Sequence, residues 1–274
     1  MEDGNLKKLT TMVTVMAMGV AAVFADAKGT EIMTKVHDVK KPEYTVAKAE
    51  MNLVSKNGSV DEHRVFWQFG SNQQKADNGK DITKIVMNFI EPASYAGTRF
   101  LQIENGPEDG KFVRLATDPS PRRVNSSEDS KSFLGTDATY GDLKTREVSD
   151  DNHQYLRDET KNGFNCQVVE CTPIASSQYS KRILWIDTAT MYPVYTELYD
   201  KKGKLEKVLI VKTIKNVDGY NIPMENEYKN VATGHKTTLK INAVVVDNKG
   251  LALMQKMNIN PKTVFTQNFL KTGK

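Results

Sequence analysis

From residue 44 almost to the end of the chain, apolar residues recur at every second position, in runs separated by turn residues. Successive side chains on an extended backbone point to opposite sides, so this period marks strands with one packed face. Residues 44–55 place Ala47, Ala49, Met51 and Leu53 together, and Asn57-Gly58 supplies a hairpin turn. Residues 62–69 group Val65, Trp67 and Phe69, and residues 81–91 group Ile85, Met87 and Phe89. Residues 99–103 carry Leu101 and Ile103, and residues 111–115 carry Val113 and Leu115.

The second half repeats the theme. Residues 179–187 align Tyr179, Ile183 and Trp185, and residues 192–200 hold Val194 and Leu198. After the turn at residues 200–203, residues 205–214 carry Leu209 and Val211, and residues 220–229 and 236–246 complete an antiparallel meander. Pro223 lacks the N–H that a ladder needs, which places it early in its strand or at an edge. Helical spacing is confined to residues 30–39, with Thr30 as cap, a short helix or turn at residues 136–144, and residues 260–270, with Pro261 in the first turn. Residues 118–132 are polar and read as a loop, too short for a domain boundary. The expected fold is mainly β (α+β), one large antiparallel sheet in one domain over residues 26–274, with a few helices against one side. A long twisted meander curls. Alternation fits either an ordinary filled core or an apolar cavity left under a partial helical cover.

Residues 1–25 do not follow the strand pattern. Lys7 and Lys8 precede an uncharged, mostly apolar run from residue 9 to residue 25, and charge returns at Asp26. This order of basic, apolar and small residues is that of a cleavable secretory signal peptide, with cleavage before Asp26 or Lys28. The run is short for a membrane span and contains Thr10, Thr11, Thr14 and Gly19. No Cys follows either cleavage point, so the exported chain is expected to carry no lipid anchor. The net charge of +4 is dispersed among acids, which argues against a nucleic-acid partner.

Candidate chemistry is sparse. His37, His63, His153 and His235 fall in different elements, and no metal-binding pair, nucleophile elbow, P-loop or dinucleotide fingerprint is present. No catalytic residue, metal or cofactor is therefore expected. Cys166 and Cys171 lie five residues apart in a predicted strand, about 16 Å between Cα atoms. A disulfide tolerates less than about 7 Å, so they read as free thiols. Asp137 and Asp142 offer oxygen ligands for a cation, but without the spacing of a calcium loop, and a helix cap by Thr136 or Asp137 explains that segment more simply.

Several motifs together resemble one family. They are Phe89-Ile90-Glu91-Pro92 before Gly97-Thr98-Arg99-Phe100-Leu101, then Pro121-Arg122-Arg123-Val124, then Ser132-Phe133-Leu134-Gly135-Thr136-Asp137 with Tyr140, Asp142 and Leu143. Trp185-Ile186-Asp187, Pro193, the hairpin from Glu197 to Lys207, and Gly219-Tyr220 with Ile222-Pro223 follow. The chain resembles the outer-membrane lipoprotein-sorting-like proteins of diderm bacteria, relatives of the lipoprotein carrier LolA. It departs from the family pattern at Leu134, Ala138 and Gly141. The resemblance implies a curved open half-barrel with helices covering the concave face, residence in the periplasm, and a cavity for lipid or lipoprotein acyl chains. It further implies an inner-membrane RND-type transporter as a partner, and it supplies no catalytic residue. The walls expected for such a cavity are Met51, Leu53, Val65, Trp67, Phe69, Ile85, Met87, Phe89, Leu101, Ile103, Ile183, Trp185, Leu198 and Leu209. Arg64 and Arg99 are strand residues, and neither matches a motif that would assign it a family role.

Overall fold

A computed structural model describes residues 26–274, so the proposed signal peptide lies outside the described residues. The alternating runs form two meanders. The first is β1 (Tyr44–Val54), β2 (Val60–Lys75), β3 (Asp81–Glu91), β4 (Arg99–Glu104), β5 (Gly110–Leu115) and β6 (Asp118–Val124). The second is β7 (Asp151–Lys161), β8 (Phe164–Pro173), β9 (Lys181–Asp187), β10 (Pro193–Tyr199), β11 (Leu205–Val217), β12 (Tyr220–Asn230) and β13 (Lys236–Val246). Antiparallel pairing of β1 with β13 joins them into one 13-stranded sheet. Its edges are β6 and β7, so the sheet is an open half-barrel.

The two edge strands are consecutive in the chain, and residues 125–150 connect them. This connection touches side chains of β2, β4, β11 and β13 on one and the same face, here termed the inner face. Pro119 and Pro121 blunt the β6 edge. Asp26 covers part of the β7 edge: its N–H donates to the His153 carbonyl at 2.8 Å, and its Oδ2 accepts from Tyr155 N–H at 2.7 Å. The same carboxylate caps α1 (Ala27–His37) by accepting from Gly29 N–H, which replaces Thr30 as the expected cap. Gly29 lets the helix lie directly on β7, where a Cβ would sit 2.8 Å from Tyr155 N and 2.9 Å from the His153 carbonyl carbon.

Helices occupy both sides. Ile32 of α1 packs with Val169, Cys171, Leu184 and Ile186 on the inner face of β8 and β9. On the opposite, outer face of the first meander, α2 (Asp247–Lys256) and α3 (Gln267–Thr272) bring Met254, Phe269 and Leu270 onto Val46, Phe69, Leu101 and Phe112. Both faces of that meander are therefore apolar.

Local departures from the sequence reading have local causes. Residues 118–132 contain β6, whose polar, proline-bearing sequence suits an edge. Residues 260–265 form turns around Asn260, whose carbonyl accepts from Thr263 and Val264 N–H. Helix α3 starts only after Thr266, whose hydroxyl caps Phe269 N–H. The stretch at residues 136–144 holds only a single 3₁₀ turn at Gly141–Leu143. Pro223 is early in its strand but not at an edge, because β12 lies between β11 and β13, and register shifts around Thr213 relieve the ladder opposite it. Both cysteines sit buried and unpaired on β8, where burial pushes the Cys166 thiol up to about 11 and the Cys171 thiol up to about 12.

Candidate ligand site on the inner face

The connection 125–150 works as a strap. Phe133, fully buried, meets the rings of Phe100 at 4.9 Å and Tyr140 at 5.6 Å, edge to face, above Met51, Phe66, Met87 and Phe89. The chain then turns through Leu134 and Gly135, both at positive φ, and Thr136 closes the turn by donating to the Phe133 carbonyl at 2.7 Å. Glycine takes this conformation without the Cβ penalty.

Three polar clamps hold the strap. Arg64, 2% exposed, donates to the Leu134 carbonyl at 2.8 Å and to both oxygens of Glu62, whose carboxyl that bond holds below its ordinary pKa. Asp137 accepts from the Thr237 hydroxyl at 2.7 Å and meets His235 Nδ1 at 2.8 Å. Asp142 accepts from Tyr179 OH at 2.8 Å, Gln178 Nε2 at 3.0 Å and Lys207 Nζ at 3.2 Å. Burial, and then the Asp142 carboxylate, push the Tyr179 phenol far up. Asp137 and Asp142 are thus engaged by separate protein partners and do not converge. Among the described residues no three His, Cys, Asp or Glu side chains meet as a metal would require. Leu143 contributes its carbonyl to Gln102 Nε2 at 2.8 Å.

Beside the strap, the inner face of β11–β13 is partly exposed, and Leu239 and Ile241 there also pack against the apolar cluster beneath the strap. Leu209, Met224, Tyr228, Leu239 and Ile241 are half-buried there, with Asn226 among them. Register places them on one surface: Leu239 pairs with Met51, Ile241 with Ala49, Asn226 with Val211 and Leu239, and Leu209 with Tyr228. The strap bounds this trough at the Lys207 and Thr237 end, and Tyr220, Ile222 and Val246 pack at the other. Burial, followed by the nearby Asp142, raises the Tyr228 phenol. Such a surface can take up an apolar chain and offers no nucleophile or acid–base pair.

The fourteen residues expected as cavity wall divide between the two faces. Met51, Leu53, Ile85, Met87, Phe89, Leu198 and Leu209 point inward. Val65, Trp67, Phe69, Leu101, Ile103, Ile183 and Trp185 point outward. Of the inward set, Leu209 lies in the trough, while Met51, Met87 and Phe89 lie beneath the strap. Met224, Tyr228, Leu239 and Ile241 escaped sequence reasoning, although Tyr220, Ile222, Met224 and Tyr228 share one alternation phase. A concavity of about 480 Å³ opens at the rim among Lys80, Gln102, Lys111 and Asp150. Its charges are largely neutralised within it, Lys111 by Asp129 at 2.9 Å and Lys80 by Glu147 at 3.5 Å.

A family model described only as an uncharacterized protein matches residues 81–272. The chain belongs to that family. No curated protein matches it. Among solved structures, an outer membrane lipoprotein-sorting protein domain from Vibrio parahaemolyticus is 26% identical, with a TM-score of 0.76 over 89% of this chain and 98% of that one. A DUF1329 family protein from Desulfovibrio piger shares 21% identity and a TM-score of 0.77, over 89% of this chain and 98% of the other. A LolA superfamily protein from Nitrosomonas europaea shares 18% identity and a TM-score of 0.61, over 88% and 98%. The family therefore has the LolA-like fold of outer membrane lipoprotein-sorting domains, as the strand pattern and motifs imply. Among the described residues, no helix is long and apolar enough to cross a membrane.

Proposed function

We propose that this protein is a non-catalytic periplasmic carrier or binder of lipids, lipoproteins or similar hydrophobic molecules, exported by residues 1–25 and acting as one domain over residues 26–274. The observation that carries this reading is the half-buried apolar surface of Leu209, Met224, Leu239 and Ile241 on the inner face of a lipoprotein-sorting fold. Moving an acyl chain from water onto it gains roughly 0.8 kcal/mol per buried CH₂, so one long chain binds without a charged contact. The inward residues Met51, Leu53, Ile85, Met87, Phe89 and Leu198 extend the wall if the strap lifts, and the Arg64, Asp137 and Asp142 clamps set the cost of lifting it.

Fluorescent fatty-acid titration tests the reading. The wild type is expected to bind the probe saturably, and Leu239→Glu to lose most of that binding, because a carboxylate in the trough resists burial. Equal binding by both proteins contradicts the assignment. A folded wild type that binds no acyl probe points instead to an adaptor that docks on an inner-membrane RND-type transporter. The packing of Phe133 across the first meander favours that second reading, since it fills half of the inner face with the protein's own side chains.

A further inference from the structure

Four large hydrophobic side chains are exposed among the described residues, and two of them, Val60 and Val231, stand on one rim of the sheet. Strands β2, β1, β13, β12, β11 and β10 follow one another in the ladder, so the turns at residues 55–59, 231–235 and 200–204 line one row of strand ends. These turns hold one another in place. Val231 N–H donates to the Glu206 carbonyl at 2.9 Å. Gly234 lies so near Lys56 that a Cβ there would meet its Cγ at 2.9 Å. Exposed valines scattered singly are ordinary, whereas two on the same braced and basic rim mark a contact surface.

Lys56, Lys201, Lys202, Lys204 and Lys229 are all exposed on this rim. Its ion pairs are Lys207–Asp142, His235–Asp137 and Lys236–Glu227, which leave those lysines free. The acids of the rim are Asp61, Asp200 and Glu206. Asp61 accepts from the Ser55 and Ser59 hydroxyls, and Asp200 accepts from Lys202 and Lys204 N–H. The other end of the same strands differs. Its turns at residues 76–80 and 218–219 carry Asp77, Lys80 and Asp218, with Lys80 paired to Glu147, and no large hydrophobic side chain is exposed on them.

We infer that this rim docks the protein on an anionic lipid bilayer, with Val60 and Val231 at the headgroup boundary and the free lysines facing lipid phosphates. Each Lys held at such a surface strengthens binding about fivefold, and the attraction fades with added salt. The strap is clamped at this same end, by Asp137 on Thr237 and Asp142 on Lys207. Docking therefore brings the strapped end of the inner face to the membrane. The inference holds whether or not that face carries an acyl chain.

Co-sedimentation with vesicles is the experiment. The wild type is expected to pellet with vesicles of mixed phosphatidylglycerol and phosphatidylcholine, and not with phosphatidylcholine alone. The triple variant Lys201→Glu, Lys202→Glu, Lys204→Glu is expected to bind about a hundredfold more weakly. A second triple variant, Lys256→Glu, Lys262→Glu, Lys271→Glu, changes net charge equally at exposed positions in and between α2 and α3, and is expected to bind as the wild type does. Emission from Val60→Trp is expected to move to the blue on the anionic vesicles, as the indole leaves water. Failure of the wild type to pellet with anionic vesicles, equal pelleting with both kinds, equal losses in the two triple variants, or an unshifted emission from Val60→Trp overturns the inference.

Discussion

Replacing Lys207 with Met keeps most of the side-chain volume and removes the ammonium from the clamp that ties the strap to β11. The charged heads are deeply placed, with the Lys207 side chain 6% exposed and that of Asp142 4% exposed. At 3.2 Å and an effective dielectric near 20, their attraction is about 5 kcal/mol before desolvation is counted. Breaking one side of a buried pair costs about 3–5 kcal/mol, because the remaining charge is stranded. Asp142 retains Tyr179 OH, Gln178 Nε2 and Thr139 N–H, which places Lys207→Met at the lower end, about 3 kcal/mol. For a chain of this size that loss corresponds to a fall in Tm of roughly 6–12 °C. Thermal unfolding followed by circular dichroism at pH 7 reads it. Adding Asp142→Asn in the same chain removes the stranded charge, so the double variant is expected to lose less than the sum of the singles. Hydrogen exchange at Tyr140 and Gly141, whose N–H groups bond to the Lys131 and Asp129 carbonyls, is expected to accelerate more than exchange in β1–β3. A Tm within about 2 °C of wild type, or exchange accelerated uniformly over the sheet, refutes the clamp.

Other consequences follow from the same packing. Burial raises the Asp151 carboxyl, but hydrogen bonds and charge from Arg146 and Arg182 outweigh it, so its folded pKa lies below the ordinary 3.8. A depressed carboxyl stabilises the fold above its unfolded value and loses that contribution as pH falls through the folded one. Asp151→Asn is therefore expected to lower Tm strongly at pH 7 and progressively less below about pH 4, and a pH-independent difference contradicts the ion pair. Gly29→Ala must push α1 off the β7 backbone, costing about 1–3 kcal/mol in denaturant titration; a neutral result means that the helix does not dock this closely. Cys166 and Cys171 are expected to react with a thiol reagent only on unfolding, since burial keeps both protonated at neutral pH.

Most strands were legible, because alternation is a property of one strand at a time; the polar edge strands β6, read as a loop, and β7 were not. Met51 and Leu53, or Met87 and Phe89, were grouped correctly within their strands. The phase between strands was not legible. It depends on register and on shifts such as those at Leu53/Val54 and Val65/Phe66, which only pairing reveals. That is why Phe69 and Leu101, under α2 and α3, fell into one expected wall with Met87, under the strap. Two-sided cover also removed the polar contrast that separates an inner from an outer face. The motif from Phe133 to Leu143 was legible as a unit, but its chemistry was not. Asp137 and Asp142 find partners 98 and 65 residues away in the chain, in His235 and Lys207, and no local spacing announces such contacts. The trough residues Met224 and Leu239 were missed because alternation marks which side chains share a face, not which face stays uncovered.

Native mass spectrometry of the protein purified from its own cell envelope tests most directly whether the inner face holds an acyl chain. The wild type is expected to carry a lipid-sized adduct whose fragments include an acyl chain, and folded Leu239→Glu protein to lack it. A wild type that is lipid-free in every preparation, or an adduct retained undiminished by Leu239→Glu, contradicts the acyl-chain reading.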